Sequence, residues 1–276
     1  MKAMLRVFFA EGMRLIHSPA AWAAMLLVPL LAAARSYLGA SLALNGETDL
    51  ETGLAWAPFV DGLRAGLTLT TLLLTAAAAK GLGGDLESGL VRLAVTRSVS
   101  RSALVTGRML VGACGLAVLV LLGGLAAWLT AVSLLDFGPL VVDGFELFTA
   151  EEIREEFSAA WVAALPAMLS VWAFGLLVGS LSRSAAGAVA TSLGLLLAFD
   201  LLKESLGSNA RFVFAYHAPT LVDSKESALQ GASALARGYS DGGVSEGMLR
   251  AAHLLPWPQT LVMIALAALF VRRRAL

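Results

Sequence analysis

The sequence predicts an all-α integral membrane protein, with six transmembrane helices preceded by an amphipathic helix lying at the membrane interface. Three observations carry that prediction. Hydrophobic residues make up 58% of the chain and charged residues only 14%, and the mean hydropathy of +0.78 lies outside the range of water-soluble domains. Apolar runs able to cross a hydrocarbon core, which takes about 20 residues each, recur along the chain. Cations gather in alternate connections between these runs, and acids gather in the others. The formal net charge is zero, so the charge balance gives no reason to expect a nucleic-acid partner.

Residues 1–19 come before any span. Met4, Leu5, Phe8, Phe9, Met13 and Ile16 share one helical face, and Lys2, Arg6, Arg14 and His17 share the other. Such a helix lies flat, with its cations toward lipid headgroups. Glu11 and Arg14 interrupt the apolar stretch before it reaches the length of a secretory signal.

The first span is expected over about 20–42, with Trp22 near its start and Pro29 as a kink site. Glu47, Asp49 and Glu51 then mark a polar outer loop. The second span is expected over about 56–80. Asp61 and Arg64 lie in its outer third, three residues apart and so helical neighbours. Ionisable groups in a span are costly, which makes the pair a candidate outer gate. Alternatively, they form a local pair snorkelling to the outer interface.

A basic segment follows, with 81–103 as its loop. Lys80, Arg92, Arg97, Arg101 and Arg108 face only Asp85 and Glu87. Gly81-Leu82-Gly83-Gly84 reads as a flexible exit from the second span. Asp85 can then cap a short helix with Leu86, Leu90, Leu93 and Ala94 at helical spacing. A turn from Thr96 to Ser100 re-enters the membrane.

The third span is expected over about 104–135; residues 109–135 carry no charge. Cys114, the single cysteine, lies within it and has no internal disulfide partner. The next connection is acidic, and Thr149 with Glu152 has the capping-box spacing that opens a helix. The fourth span, about 157–181, has Trp161 at its outer end, Pro166 within it, and Gly175 and Gly179 as a small-residue pair. A tight turn holding Arg183 leads to the fifth span, about 185–203, where Gly187, Thr191 and Gly194 form a small-residue face suited to another helix. Residues 205–253 are the longest polar region. Its Arg211–Tyr216 segment alternates aromatics, as a short extended stretch or a lid would. His217 and His253 lack metal-ligand spacing. The sixth span, about 254–271, starts near Trp257 and ends on Arg272, Arg273 and Arg274.

With this layout about twelve cations and three acids (Glu11, Asp85 and Glu87) fall on one side. The positive-inside rule makes that side cytoplasmic, with both termini and 81–103 on it.

The run Glu87-Ser88-Gly89-Leu90, Arg92-Leu93, Thr96-Arg97-Ser98-Val99-Ser100-Arg101 and Gly107-Arg108 resembles the first cytoplasmic loop of type-2 ATP-binding-cassette (ABC) exporter permeases. Leu90, Ser98 and Arg108 stand where that family usually has Thr, Pro and Lys. The interfacial "elbow" helix, the tight fourth-to-fifth turn, the long last outer loop and the basic tail extend the likeness over essentially the whole chain. The resemblance implies a half-transporter in the bacterial cytoplasmic (inner) membrane. Two such permeases pair, as homodimer or heterodimer, and each docks one cytoplasmic ABC ATPase, which binds ATP and Mg. It implies ATPase-coupling roles for Asp85, Glu87, Gly89, Arg92, Arg97, Ser100 and Arg101, and a permease dimer interface at Gly187, Thr191 and Gly194.

The chain has no phosphate-binding Gly-x-x-x-x-Gly-Lys-Ser/Thr loop, no Gly-x-Ser-x-Gly elbow and no His-Glu-x-x-His, so it is expected to be a transport subunit with no ATPase site, catalytic residue, metal or cofactor of its own. An ion-coupled secondary transporter would favour inverted repeats with broken midspan helices. An intramembrane enzyme would need nucleophile and base, or paired acids, at matching depth. Neither pattern is visible.

Overall fold

A computed structural model describes residues 2–46, 51–91, 100–222, 227–239 and 245–274. Helix α1 (Lys2–Ile16) precedes α2 (Pro19–Leu44), α3 (Trp56–Glu87) and α4 (Arg101–Leu134). Strands β1 (Leu140–Val142) and β2 (Phe145–Phe148) follow, then α5 (Ala150–Leu181) and α6 (Ala185–Leu202). A 3₁₀ stretch (Lys203–Phe212) leads to α7 (Phe214–His217), α8 (Ala228–Leu235), α9 (Glu246–Leu254) and α10 (Pro256–Arg274). Among the described residues six helical segments are long and apolar enough to cross a membrane, as suits a multi-pass membrane protein.

The helix starts follow from local chemistry. Pro19 takes the first position of α2, where its missing N–H costs nothing. Ser100 and Ser184 accept backbone N–H bonds as N-caps of α4 and α6. Thr149 and Glu152 form the expected reciprocal capping box at the start of α5.

Helix α5 is the most enclosed span, with 78% of its apolar window buried, against 50% for α3 and 22% for α2. Glycines let the neighbours come close to it and to one another. A methyl group on Gly175 would lie 2.7 Å from the Thr75 carbonyl oxygen, and one on Gly179 2.7 Å from that of Ala79, so α3 and α5 touch backbone to backbone. The α2–α3 contact is equally tight, since a methyl on Gly62 would meet the Ala32 carbonyl oxygen at 2.5 Å. Leucines on the outer faces of α2, α6 and α10 are exposed, as a hydrocarbon solvent would favour.

Several elements differ from the sequence-based expectation. Helix α3 continues past Lys80 to Glu87, so Gly81–Gly84 is helical rather than a flexible exit. Asp85 lies in the last turn of α3 and caps no helix; Leu90 and Val91 begin another helical turn, and the rest of the expected short helix (92–99) lies outside the described residues. Helix α5 starts at Ala150, ahead of the expected 157.

The chain is not purely helical either. β1 and β2 pair antiparallel, with Leu140 opposite Phe148 and Val142 opposite Phe145. Asp143 and Gly144 both have positive φ (52° and 76°), as a tight two-residue hairpin turn requires. Thr52 bridges to Val141 and adds a third segment to this small sheet. Finally, Phe214–His217 is a helical turn, not an extended segment. Phe214 packs between Phe174 and Phe199, with ring centroids 5.3 and 6.0 Å away.

The spans alternate in direction. The hydrogen bonds of Glu11, Arg14, Asp85, Glu87, Arg108 and Ala185 gather the α1 end. Those of Thr52 and Trp56 with the chain before β1 gather the hairpin end.

Candidate functional site

At the α1 end a four-membered charge cluster ties three helices together. Arg108 lies on α4 two turns after its start and is only 4% exposed. Its Nη2 donates to Glu11 Oε1 at 2.6 Å and to Asp85 Oδ2, and its Nε donates to the same Glu11 oxygen at 3.1 Å. Arg14 Nη1 donates to Asp85 Oδ1 at 2.9 Å and lies 3.9 Å from Glu11. Two carboxylates and two guanidiniums balance, which offsets part of the desolvation cost. The hydrogen bond that Arg14 donates to Asp85 raises the pKa of its guanidinium above the ordinary value.

The close approach has a backbone cause. A methyl on Gly107 would lie 2.7 Å from Val7 Cγ1 and 3.1 Å from the Met4 carbonyl oxygen, so α1 rests directly on α4. Helix α1 is therefore fixed to the bundle by packing at Val7 and by charge at Glu11 and Arg14.

Glu87, two residues after Asp85, reaches the other way. Its carboxylate accepts the Ala185 backbone N–H at 2.8 Å and so sits at the N-terminus of α6, where negative charge is favoured. Gly83 and Gly84 bring α3 against that start; a methyl on Gly83 would lie 2.8 Å from Ala188 Cβ. Gly89 follows the end of α3 with φ +74°, the left-handed conformation that glycine tolerates best at a helix C-terminus. Ser100 accepts the Ala103 N–H at 3.2 Å and starts α4. Arg101 is partly exposed beside it, and its Nε has no hydrogen-bond partner among the described residues. Arg92 and Arg97 lie outside the described residues. The connection between α3 and α4 thus leads straight into α1 through Asp85 and Arg108, and into α6 through Glu87.

Asp61 and Arg64 are brought to α8 and the turn after it rather than left at a bare helix end. Asp61 Oδ1 accepts from Arg237 Nη2 at 2.6 Å, and Arg64 Nη1 donates to Gln230 Oε1 at 3.2 Å. A second cluster holds the chain after α6. Lys203, 1% exposed, lies 2.8 Å from Asp200 Oδ1 and donates to Thr220 Oγ1 at 3.0 Å, while the Val222 N–H donates to Asp200 Oδ2 at 2.9 Å.

On α6 the face with Thr191 and Gly194 is exposed, and a methyl on Gly194 would meet nothing within 4 Å. Gly187 is half-buried against its own cap, Ser184. The opposite face, Ala188, Ser192 and Leu196, is buried in the bundle. No group of three or more His, Cys, Asp or Glu able to hold a metal occurs among the described residues. His217 and His253 each bond a backbone carbonyl, of Arg211 and Leu249. Burial pushes the His217 imidazole below its ordinary pKa.

In the sequence Glu11 and Arg14 read only as interruptions of an apolar stretch; the pairing of Glu11 with Arg108 and of Arg14 with Asp85 appears in the fold. A signal was present. Acids are scarce on the cation-rich side, and each of the three is used, Glu11 and Asp85 in the cluster and Glu87 as a cap. Comparison with known proteins finds no family model that matches this chain and no curated protein that matches it.

Proposed function

We propose that this chain is the membrane-spanning permease subunit of a type-2 ABC exporter, driven by ATP hydrolysis in a separate cytoplasmic ATPase. One observation carries the reading: the connection between α3 and α4 stands on a charge cluster, buried at Asp85 and Arg108, that joins three helices, with Glu87 joining a fourth. A force applied there reaches α1, α3, α4 and α6 together, as an element that has to tip a bundle between two states requires. In this reading Arg97, Ser100 and Arg101 face the ATPase with Arg92 and Gly89, while Asp85 acts from inside the bundle and Glu87 from the exposed start of α6. Two permeases pair and two ATPases bind, and only the ATPases hold ATP and Mg. The membrane is the bacterial cytoplasmic one, with the α1 end and both termini cytoplasmic. Thiol labelling of Ser88→Cys against Ser205→Cys in intact cells, both in a Cys114→Ser background, reads that orientation; labelling of residue 88 but not 205 reverses it.

Capture of the tagged chain from its own membranes is expected to bring down an ATPase. Arg97→Glu with Arg101→Glu is expected to abolish that capture, or to uncouple hydrolysis from transport, while the protein still inserts and folds. If the cations only hold anionic headgroups, insertion suffers and capture in detergent is unchanged. A well-folded reversed variant that binds its ATPase and transports normally removes this connection from the mechanism.

The permease pair is proposed to meet at the Gly187, Thr191 and Gly194 face of α6, where small residues allow helices to approach. Gly194→Leu has free space in the single chain, so its effect reads the pairing alone. Cross-linking between differently tagged copies is expected to fall; unchanged cross-linking would move the interface elsewhere.

A further inference from the structure

Beside the hairpin, α3, α4 and α5 enclose an open groove of about 810 Å³, within the size range of small-molecule sites. Its wall is a continuous chain of aromatic rings. Trp56 packs on Phe137 (4.7 Å between centroids), Phe137 on Phe59 (5.8 Å), Phe59 on Phe157 (4.9 Å), and Phe157 on Trp161 (6.1 Å). Trp128 stands opposite, 45% exposed. Most of the polar groups are already engaged: the Trp56 indole N–H donates to the Gly138 carbonyl at 2.9 Å, Glu151 pairs with Arg154 at 3.0 Å, and Ser158 Oγ donates to the Glu155 carbonyl at 2.9 Å. The Trp161 indole N–H is buried and has no acceptor among the described residues.

The only charged residues that line the groove, Glu151 and Arg154, neutralise each other, and the negative charge comes from the chain that flanks it. Between positions 136 and 156 the chain carries seven acids and one arginine. The partial positive charge at the start of α5, about half an elementary charge, is far smaller than that excess. Electron-rich ring faces attract cations, and they do so best where water is excluded.

We propose that this groove binds a lipophilic organic cation, with its apolar body among the rings and its charge toward the acidic flanking chain. A lipid acyl chain would fill the same volume but would gain nothing from the acids, and an anionic amphiphile would be repelled by them. That the ligand is also cargo rests on the permease reading; that it binds does not.

The test uses two ions of nearly the same shape and opposite charge, tetraphenylphosphonium and tetraphenylborate. Each is measured by equilibrium dialysis against the purified full chain in micelles of an uncharged detergent, without ATPase or ATP, and corrected for protein-free micelles. Saturable binding of the phosphonium and none of the borate is expected. Trp128→Leu removes one ring from an exposed position and is expected to weaken phosphonium binding roughly 2- to 30-fold. Glu151→Gln is expected to weaken it less, and the loss should shrink with added salt. Equal affinity for the two ions would overturn the proposal and identify the groove as a charge-indifferent lipid site. Phosphonium binding unchanged by Trp128→Leu would overturn it as well. Because no ATPase is present, failure here leaves the permease reading intact, and loss of ATPase capture leaves the groove intact.

Discussion

Arg108→Met is expected to destabilise the protein by about 3–5 kcal/mol, the usual cost of removing one partner from a buried charge pair. Arg108 is almost fully buried and serves Glu11 and Asp85 at once. Methionine fills a similar volume, so the loss would come from charge and not from a cavity. Asp85, 8% exposed, would keep Arg14 alone, and Glu11 would keep only its 3.9 Å approach to Arg14. The second half of the experiment decides the mechanism. Asp85→Leu with Arg108→Met removes both buried charges and leaves Glu11 and Arg14 as an ordinary pair one turn apart. That double variant is expected to recover most of the stability, since replacing a whole buried pair by apolar groups is often neutral. Thermal unfolding of the four proteins in detergent completes the cycle. A double variant whose loss equals the sum of the two single losses would mean that the two residues are not energetically coupled.

The function reading adds a second readout. Helix α1 is held to α3 by charge at Asp85 and to α4 by packing at Gly107 and Val7. In the double variant the packing survives and the charge link is cut. The ATPase is therefore expected still to bind the α3–α4 connection, but transport per ATP hydrolysed should fall.

The framework of this molecule was legible because hydrocarbon length and charge asymmetry are one-dimensional signals. So was the Thr149–Glu152 box, which needs residues only three apart. The end of α3 was not. Four residues, three of them glycine, read as a break by helix propensity, yet α6 packs on Gly83 and Gly84 and keeps them helical. Asp85 had a local reading as a cap, whereas its partners are 71 and 23 positions away. No spacing rule reaches across such gaps. The hairpin carries a local signal, Asp143-Gly144 between two apolar stretches, set within a run of acids. The aromatic groove draws on α3, α4 and α5 and on the chain before β1, so it exists only once the bundle is assembled.

Gly179→Ala is expected to destabilise the bundle by about 1–3 kcal/mol, the usual cost of overpacking a close contact. The substitution adds one methyl group. On an open helix face it should help, since alanine is the better helix former by roughly 1 kcal/mol. At Gly179 the new methyl would sit 2.7 Å from the Ala79 carbonyl oxygen and 3.2 Å from its Cα. Those are backbone atoms of α3, so no side chain can turn aside and the two helices must separate. Gly175→Ala is expected to behave alike, one turn along, against the carbonyl of Thr75. The control is Gly115→Ala on α4, which meets nothing within 4 Å and is expected to leave stability unchanged or slightly higher. Opposite signs for the same chemical change would show that contact, not propensity, governs the α3–α5 seam. Equal effects would mean that the helices do not approach as described. The seam also joins the two sites, because α3 carries Asp85 at one end and Trp56 and Phe59 at the other. Parting it is therefore expected to lower phosphonium affinity in the groove even though neither glycine lines it.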